Sequence, residues 1–175
     1  MSAAPAGRWG ARALADGRHR FGLWAPTATA VDLVVDGVAQ PMQELGAGWF
    51  EVDAECSPGC PYRFRIDGTD DVPDPASRWQ PHGVDGASAV PDADGYRWTQ
   101  ETWRGRPWQE LVLYEVHLGS SGGCAGLQAQ LPALAAMGIT AIELMPVAQF
   151  PGRRNWGYDG VFPFATAEAY GPPDA

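Results

Sequence analysis

Two runs decide how the second half of this sequence folds: Leu111-Val112-Leu113-Tyr114-Glu115-Val116 and Ile139-Thr140-Ala141-Ile142-Glu143-Leu144. Each is nearly continuous apolar, as expected of a strand buried on both faces. Between them come a Gly/Ser loop, Gly119 to Gly123, and then Leu127, Leu131, Leu134 and Met137, three or four residues apart. That spacing predicts one face of a helix. Gly138 stands where a helix C-cap belongs. Pro132 is expected in the helix's first turn, where its missing N–H costs little. Strand, helix and strand together predict a right-handed βαβ unit with parallel strands. Glu115 and Glu143 then lie on buried strands and are expected to be paired structural carboxylates.

Upstream the pattern is different. Arg20-Phe21-Gly22-Leu23-Trp24-Ala25 alternates until Pro26 stops it. Val31-Asp32-Leu33-Val34-Val35 is β-branched and ends in Asp36-Gly37, a hairpin-turn pair. Trp49 to Asp53 and Tyr62 to Asp67 follow, the latter alternating and closed by Gly68. Strands this short, about ten residues apart, predict an antiparallel sandwich. From residue 71 to about 108 the pattern is irregular, and the prolines between Asp71 and Arg78 exclude a central strand or a helix interior there. Trp79, Trp98, Trp103 and Trp108 punctuate this stretch, and Trp in the sandwich and linker is expected in a seam between the two halves rather than in a starch-binding platform.

Composition narrows the partners. The chain has 175 residues, 22 Gly and 16 Pro, and a formal net charge of -9. All 12 basic residues are Arg, and no run of them forms a patch, so a nucleic-acid footprint is missing and anionic membranes are disfavoured. No segment reads as a signal peptide or a bilayer span, and the expected location is the cytoplasm. Cys56, Cys60 and Cys124 are odd in number and are expected to be free thiols. His19, His82 and His117 offer no paired spacing, so no metal site is expected.

Several motifs carry a family resemblance. Phe21-Gly22-Leu23-Trp24-Ala25-Pro26, with Val31 to Val34 after it, resembles the sandwich that precedes the barrel in branching enzymes, isoamylases and trehalohydrolases. Gly138 to Pro146 resembles the second barrel strand of the α-amylase superfamily. Asp71 to Val84 and Pro146 to Gly160 are more specific. Both are similar to the malto-oligosyltrehalose trehalohydrolases of glycoside hydrolase family 13, from which other members share only Trp156-Gly157-Tyr158 in the second stretch.

The resemblance implies an Ig-like β-sandwich at 1–95, a Trp-rich linker at 96–108 and, at 109–175, the first βαβ of a (β/α)8 TIM barrel that is left incomplete. It implies hydrolysis of the α-1,4 bond next to the trehalose end of malto-oligosyltrehalose, by retaining two-carboxylate chemistry. The family's nucleophile, acid and stabilising Asp come from later strands, so no catalytic residue is assigned here and the chain is expected to be an inactive N-terminal fragment. No cofactor or metal is implied. The partner implied is the α-glucan substrate, with no nucleic acid and no membrane.

For substrate contact the resemblance points to Tyr158 beneath a sugar ring and Asp159 beside it, with Trp156 and Arg154 lining the cleft. His117 ends the first strand on the same side, as a substrate contact or as a hydrogen-bonded core residue. The sequence departs from the family at Gly119-Ser120-Ser121-Gly122-Gly123-Cys124, a shortened loop, and at Pro172. Two other functions stay open: a branching or debranching enzyme fragment, and a non-catalytic α-glucan-binding module.

Overall fold

The computed structural model describes residues 8–92 and 102–173, with Gly95, Arg97 and Gln100 between them. In chain order the strands are β1 (Gly10–Ala13), β2 (His19–Trp24), β3 (Val31–Val35), β4 (Val38–Pro41), β5 (Gln43–Gly46), β6 (Trp49–Ala54), β7 (Pro61–Ile66), β8 (Asp70–Val72) and β9 (Ser88–Ala89). After these come β10 (Leu113–Val116), helix α1 (Gly123–Ala136), β11 (Ala141–Leu144), β12 (Ala148–Gln149) and β13 (Phe162–Thr166).

The first nine strands make two antiparallel sheets. One has the order β1-β2-β6-β5; the other runs β4-β3-β7-β8, with β9 also paired to β7. Their inner faces share one core: Phe21, Leu23 and Phe50 from the first sheet meet Val31, Leu33, Tyr62 and Phe64 from the second. The alternation of β2 and β7 explains this, since every second side chain points inward. Asp36 and Gly37 both take positive φ, 49° and 78°, the mirror-image turn that suits the twist of a hairpin.

Beyond the linker, β10 pairs with β11 in parallel, Leu113 to Ala141 through Val116 to Leu144, with α1 between them in sequence. The expected strand–helix–strand order is therefore present. A second core gathers Val116, Leu118, Leu127, Phe150, Ala167 and Tyr170. Gly138 follows the helix with φ 93°, and the Ile139 N–H returns to the Leu134 carbonyl, so glycine closes the helix as expected.

Five expectations are corrected. Cys56 and Cys60 form a disulfide. The intervening Ser57-Pro58-Gly59 turn, with the Cys60 N–H on the Ser57 carbonyl, brings the two Cα atoms to 5.6 Å, inside the bridging range; Cys124 alone stays free. Pro132 lies well inside α1, not in its first turn. The apolar runs at β10 and β11 are not buried on both faces: Leu113, Tyr114 and Leu144 are exposed, because two strands and one helix cover too little of them. Glu115 and Glu143 consequently stand exposed, side by side in register, with no cation paired to either among the described residues. The Trp seam is not formed by Trp103 and Trp108, which are 73 % and 76 % exposed; Trp98 lies outside the described residues.

Candidate functional site

The C-terminal ends of β10 and β11 point the same way because the strands are parallel. His117 follows β10 directly, and the segment from Met145 to Gly160 leaves β11 at the same end. The His117 ring is held from both sides. Ser120 N–H donates to Nδ1 at 3.1 Å, which leaves the ring hydrogen on Nε2, and Nε2 lies 2.7 Å from the Asn155 carbonyl. Tyr170 packs edge-on against the ring, and its hydroxyl donates to the same carbonyl at 3.3 Å. Burial raises the Tyr170 pKa above the ordinary phenol value.

Asn155 organises the loop beyond. Its Oδ1 accepts the Gly157 N–H at 2.7 Å, and its Nδ2 donates to Asp159 Oδ2 at 2.8 Å. Gly157 is required here: its φ is 98°, and a Cβ would fall 1.9 Å from the Pro146 carbonyl oxygen. The tight turn pushes its neighbours outward, so Trp156 and Tyr158 are 76 % and 68 % exposed. Asp159 and Arg154 are exposed as well.

Of the residues singled out in sequence, the structure thus joins His117 to Asp159 through Asn155. Trp156, Tyr158 and Arg154 share the same loop, without a side-chain hydrogen bond among the described residues. Tyr170 and Gln149 are framework residues that the sequence pattern did not single out for this role. Gln149 is buried, with Oε1 accepting the Glu168 N–H at 2.7 Å and Nε2 donating to the Phe150 carbonyl at 3.0 Å. A lone glutamine in an apolar run carries no periodic signal that would mark it. Glu168 in turn accepts the Gly83 N–H at 3.0 Å, so the loop before β9 reaches the site's framework.

Inside the sandwich a second polar cluster surrounds Asp74, which is fully buried. Tyr62 Oη donates to its Oδ2 at 2.7 Å and Ala76 N–H to its Oδ1 at 2.8 Å. Its own N–H reaches Ser88 Oγ, which donates to Gln80 Oε1 at 2.6 Å. Burial pushes the Asp74 pKa up to about 6, against the lowering pull of the Tyr62 hydrogen bond. The cluster fixes the 74–90 segment and exposes no atom for a substrate. Among the described residues no group of acidic, His or Cys side chains is arranged to hold a metal. No helix described is long and apolar enough to cross a membrane.

No family model matches the chain. Individual proteins do. A malto-oligosyltrehalose trehalohydrolase from Deinococcus radiodurans is 40 % identical over 174 residues, covering 97 % of this chain and 29 % of that protein. One from Saccharolobus solfataricus is 39 % identical, covering 87 % of this chain and 28 % of its own length. By sequence the chain is a relative of the malto-oligosyltrehalose trehalohydrolases. It spans less than a third of the length of these trehalohydrolase relatives. A 1,4-alpha-glucan branching enzyme from Ralstonia nicotianae is more distant, 33 % identical over 89 % of the chain and 24 % of that enzyme. Among solved structures, a putative alpha amylase from Salmonella typhimurium is 46 % identical with a TM-score of 0.89, covering 95 % of this chain and 29 % of that one. A pullulanase from Paenibacillus barengoltzii, 21 % identical with a TM-score of 0.77, shares the fold.

Proposed function

We propose that these residues work within a retaining α-glucan hydrolase that cuts the α-1,4 bond beside the trehalose end of malto-oligosyltrehalose and releases trehalose. The observation that carries this reading is the sequence kinship with trehalohydrolases across 87–97 % of the chain. In this reading residues 1–95 form an Ig-like sandwich, 96–108 a linker, and 109–175 the opening strand, helix and strand of a (β/α)8 barrel. The parallel β10–β11 pair supports the last assignment, because barrels are built from that unit and carry their sites at the strands' C-terminal ends.

The division of labour follows. One carboxylate attacks the anomeric carbon while a second, about 5 Å away, protonates the leaving oxygen; both belong to barrel strands beyond β11. This chain supplies part of the cleft wall. The exposed Tyr158 ring suits the C–H face of a glucosyl unit, and Asp159 accepts sugar hydroxyls. Asn155 holds Asp159, and His117 holds Asn155. Trp156 and Arg154 extend the wall.

The test compares products. The 175-residue chain alone should release no trehalose from maltotriosyltrehalose, because in this reading the nucleophile lies on a later strand. A polypeptide extended to the length of the trehalohydrolase relatives should release it. Release by the short chain sinks the division of labour. New α-1,6 branches on amylose, with no trehalose from maltotriosyltrehalose, would sink the hydrolase in favour of the branching reaction.

A further inference from the structure

The Glu168 carboxylate joins the two halves of the chain: its Oε2 accepts the Gly83 N–H across 85 residues of sequence. Glu168 is exposed and pairs with no cation among the described residues, so the backbone donor is its partner. The sandwich fixes that donor in place. Gln80, fully buried, donates through Nε2 to the Gly83 carbonyl at 3.1 Å. Gly86 N–H donates to the same carbonyl at 3.4 Å. Ser88, of the Asp74 cluster, holds Gln80 Oε1, and Arg63 of β7 donates to the Asp85 carbonyl at 2.6 Å. A loop tied at so many points cannot follow its acceptor, so the acceptor is brought to it.

The acceptor opens a single 3-10 turn, Glu168–Tyr170. One such turn has little stiffness of its own, so bonds from outside set its position. Gln149 and Gly83 hold its first residue, through the Glu168 N–H and the Glu168 carboxylate. A carboxylate on a backbone N–H is the stronger, charge-assisted kind of hydrogen bond. Its last residue, Tyr170, is buried, and its backbone lies so close to Gly123 that a Cβ there would fall 2.7 Å from the Tyr170 carbonyl oxygen. The Tyr170 hydroxyl then reaches the Asn155 carbonyl, and the Asn155 side chain holds Asp159. A displacement of Glu168 is therefore felt two residues later at the group that supports the cleft loop, because close-packed neighbours transmit it.

We propose that Glu168 is a positioning residue: by docking the Glu168–Tyr170 turn on the Gly83 N–H, it sets where Tyr170 holds the Asn155–Asp159 loop. The sandwich thereby takes part in shaping the cleft without touching substrate. The coupling itself rests on the geometry; its consequence for substrate binding rests on the function proposed above.

The test is amide exchange in the intact 175-residue chain, comparing Glu168→Ala with Glu168→Gln. The Ala variant should quicken exchange about fivefold at Gly83 and between residues 153 and 160, and leave β2 and β7 unchanged. The Gln variant keeps an acceptor oxygen at the same reach and should restore most of the protection. Unchanged exchange between 153 and 160 in the Ala variant overturns the coupling. Faster exchange throughout the chain overturns it too, as a general loss of stability, and equal loss in both variants overturns the hydrogen bond as its basis. In the polypeptide extended to the length of the trehalohydrolase relatives, Glu168→Ala should raise KM about fivefold with kcat nearly unchanged, since a displaced Asp159 loses uniform binding. Added to Asp159→Ala, it should change KM no further; full additivity overturns the route through Asp159. Absence of trehalose release by the unmutated extended polypeptide sinks the proposed function, while the exchange experiment still decides whether Glu168 positions the loop.

Discussion

The imidazole of His117 lies 2.7 Å from the backbone carbonyl of Asn155, 38 residues further along the chain. This bond ties the end of β10 to the loop that follows β11. The side chain also satisfies Ser120 N–H through Nδ1, so one residue closes two backbone groups. Replacing His117 by Ala should leave the Asn155 carbonyl with the Tyr170 hydroxyl alone and Ser120 N–H with only the backbone carbonyl of residue 117. We expect a loss of about 1–3 kcal/mol, seen as a lower urea midpoint. Amide exchange should quicken between residues 153 and 160 and stay unchanged in the sandwich. Unchanged exchange in that loop would show that the bond does not hold it.

The Cys56–Cys60 bridge makes a simple count. Thiol titration of the denatured, unreduced chain should find one thiol, Cys124, and three after reduction. The ring it closes is short, so the chain-entropy gain is small, of order 2 kcal/mol. Three thiols before reduction would remove the bridge.

Much of this was legible beforehand, for particular reasons. The β3 limits were read correctly because β-branched residues end at Asp36-Gly37, whose positive φ values make a tight turn. The βαβ order was readable from one apolar period giving way to another. Strands β4 and β5 were not, since all their residues are exposed and present no alternation to a core. The burial expected for Leu113 and Leu144 was wrong because an apolar run reports what a strand could bury, not whether covering elements are present. At the site, Gly157 and Asp159 were visible as a motif. The part played by the Asn155 carbonyl was not, because a backbone acceptor leaves no mark on residue identity.

Asp74 gives the chain a distinctive pH response. Its folded pKa, raised to about 6 from 3.8, means that the folded state binds the extra proton between those values. Stability therefore falls as pH rises from about 4 to 6 and is level above, the reverse of a salt-bridged aspartate. The shift corresponds to about 3 kcal/mol. Asp53 and Asp71, whose pKa values are lowered by Arg20 and Arg65, act in the opposite sense and below this window. Asp74→Asn keeps an acceptor for Tyr62 and removes the titration. Urea unfolding at pH 4, 5, 6 and 7 should show the wild type losing stability relative to this variant. Parallel curves would mean that Asp74 titrates normally.

Tyr158 separates a binding role from a packing role, because its ring is 68 % exposed and makes no side-chain hydrogen bond among the described residues. A ring that packs against little contributes little stability, so Tyr158→Ala should leave the melting temperature of the chain within about 1 °C. The consequence for function is tested in the polypeptide extended to the length of the trehalohydrolase relatives. If the ring lies under the sugar at the scissile bond, its contact strengthens as positive charge develops on that sugar toward the transition state. Truncation should then lower kcat together with kcat/KM, by roughly 2–3 kcal/mol, or about thirty- to a hundred-and-fiftyfold. Tyr158→Phe keeps the face and should lose far less. A rise in KM with unchanged kcat would place the ring on a sugar away from the cleavage point, since uniform binding alone would have been lost. Normal kcat and KM in the Ala variant would take Tyr158 out of the cleft, leaving Asp159, held by Asn155 at 2.8 Å, as the remaining polar candidate on this loop.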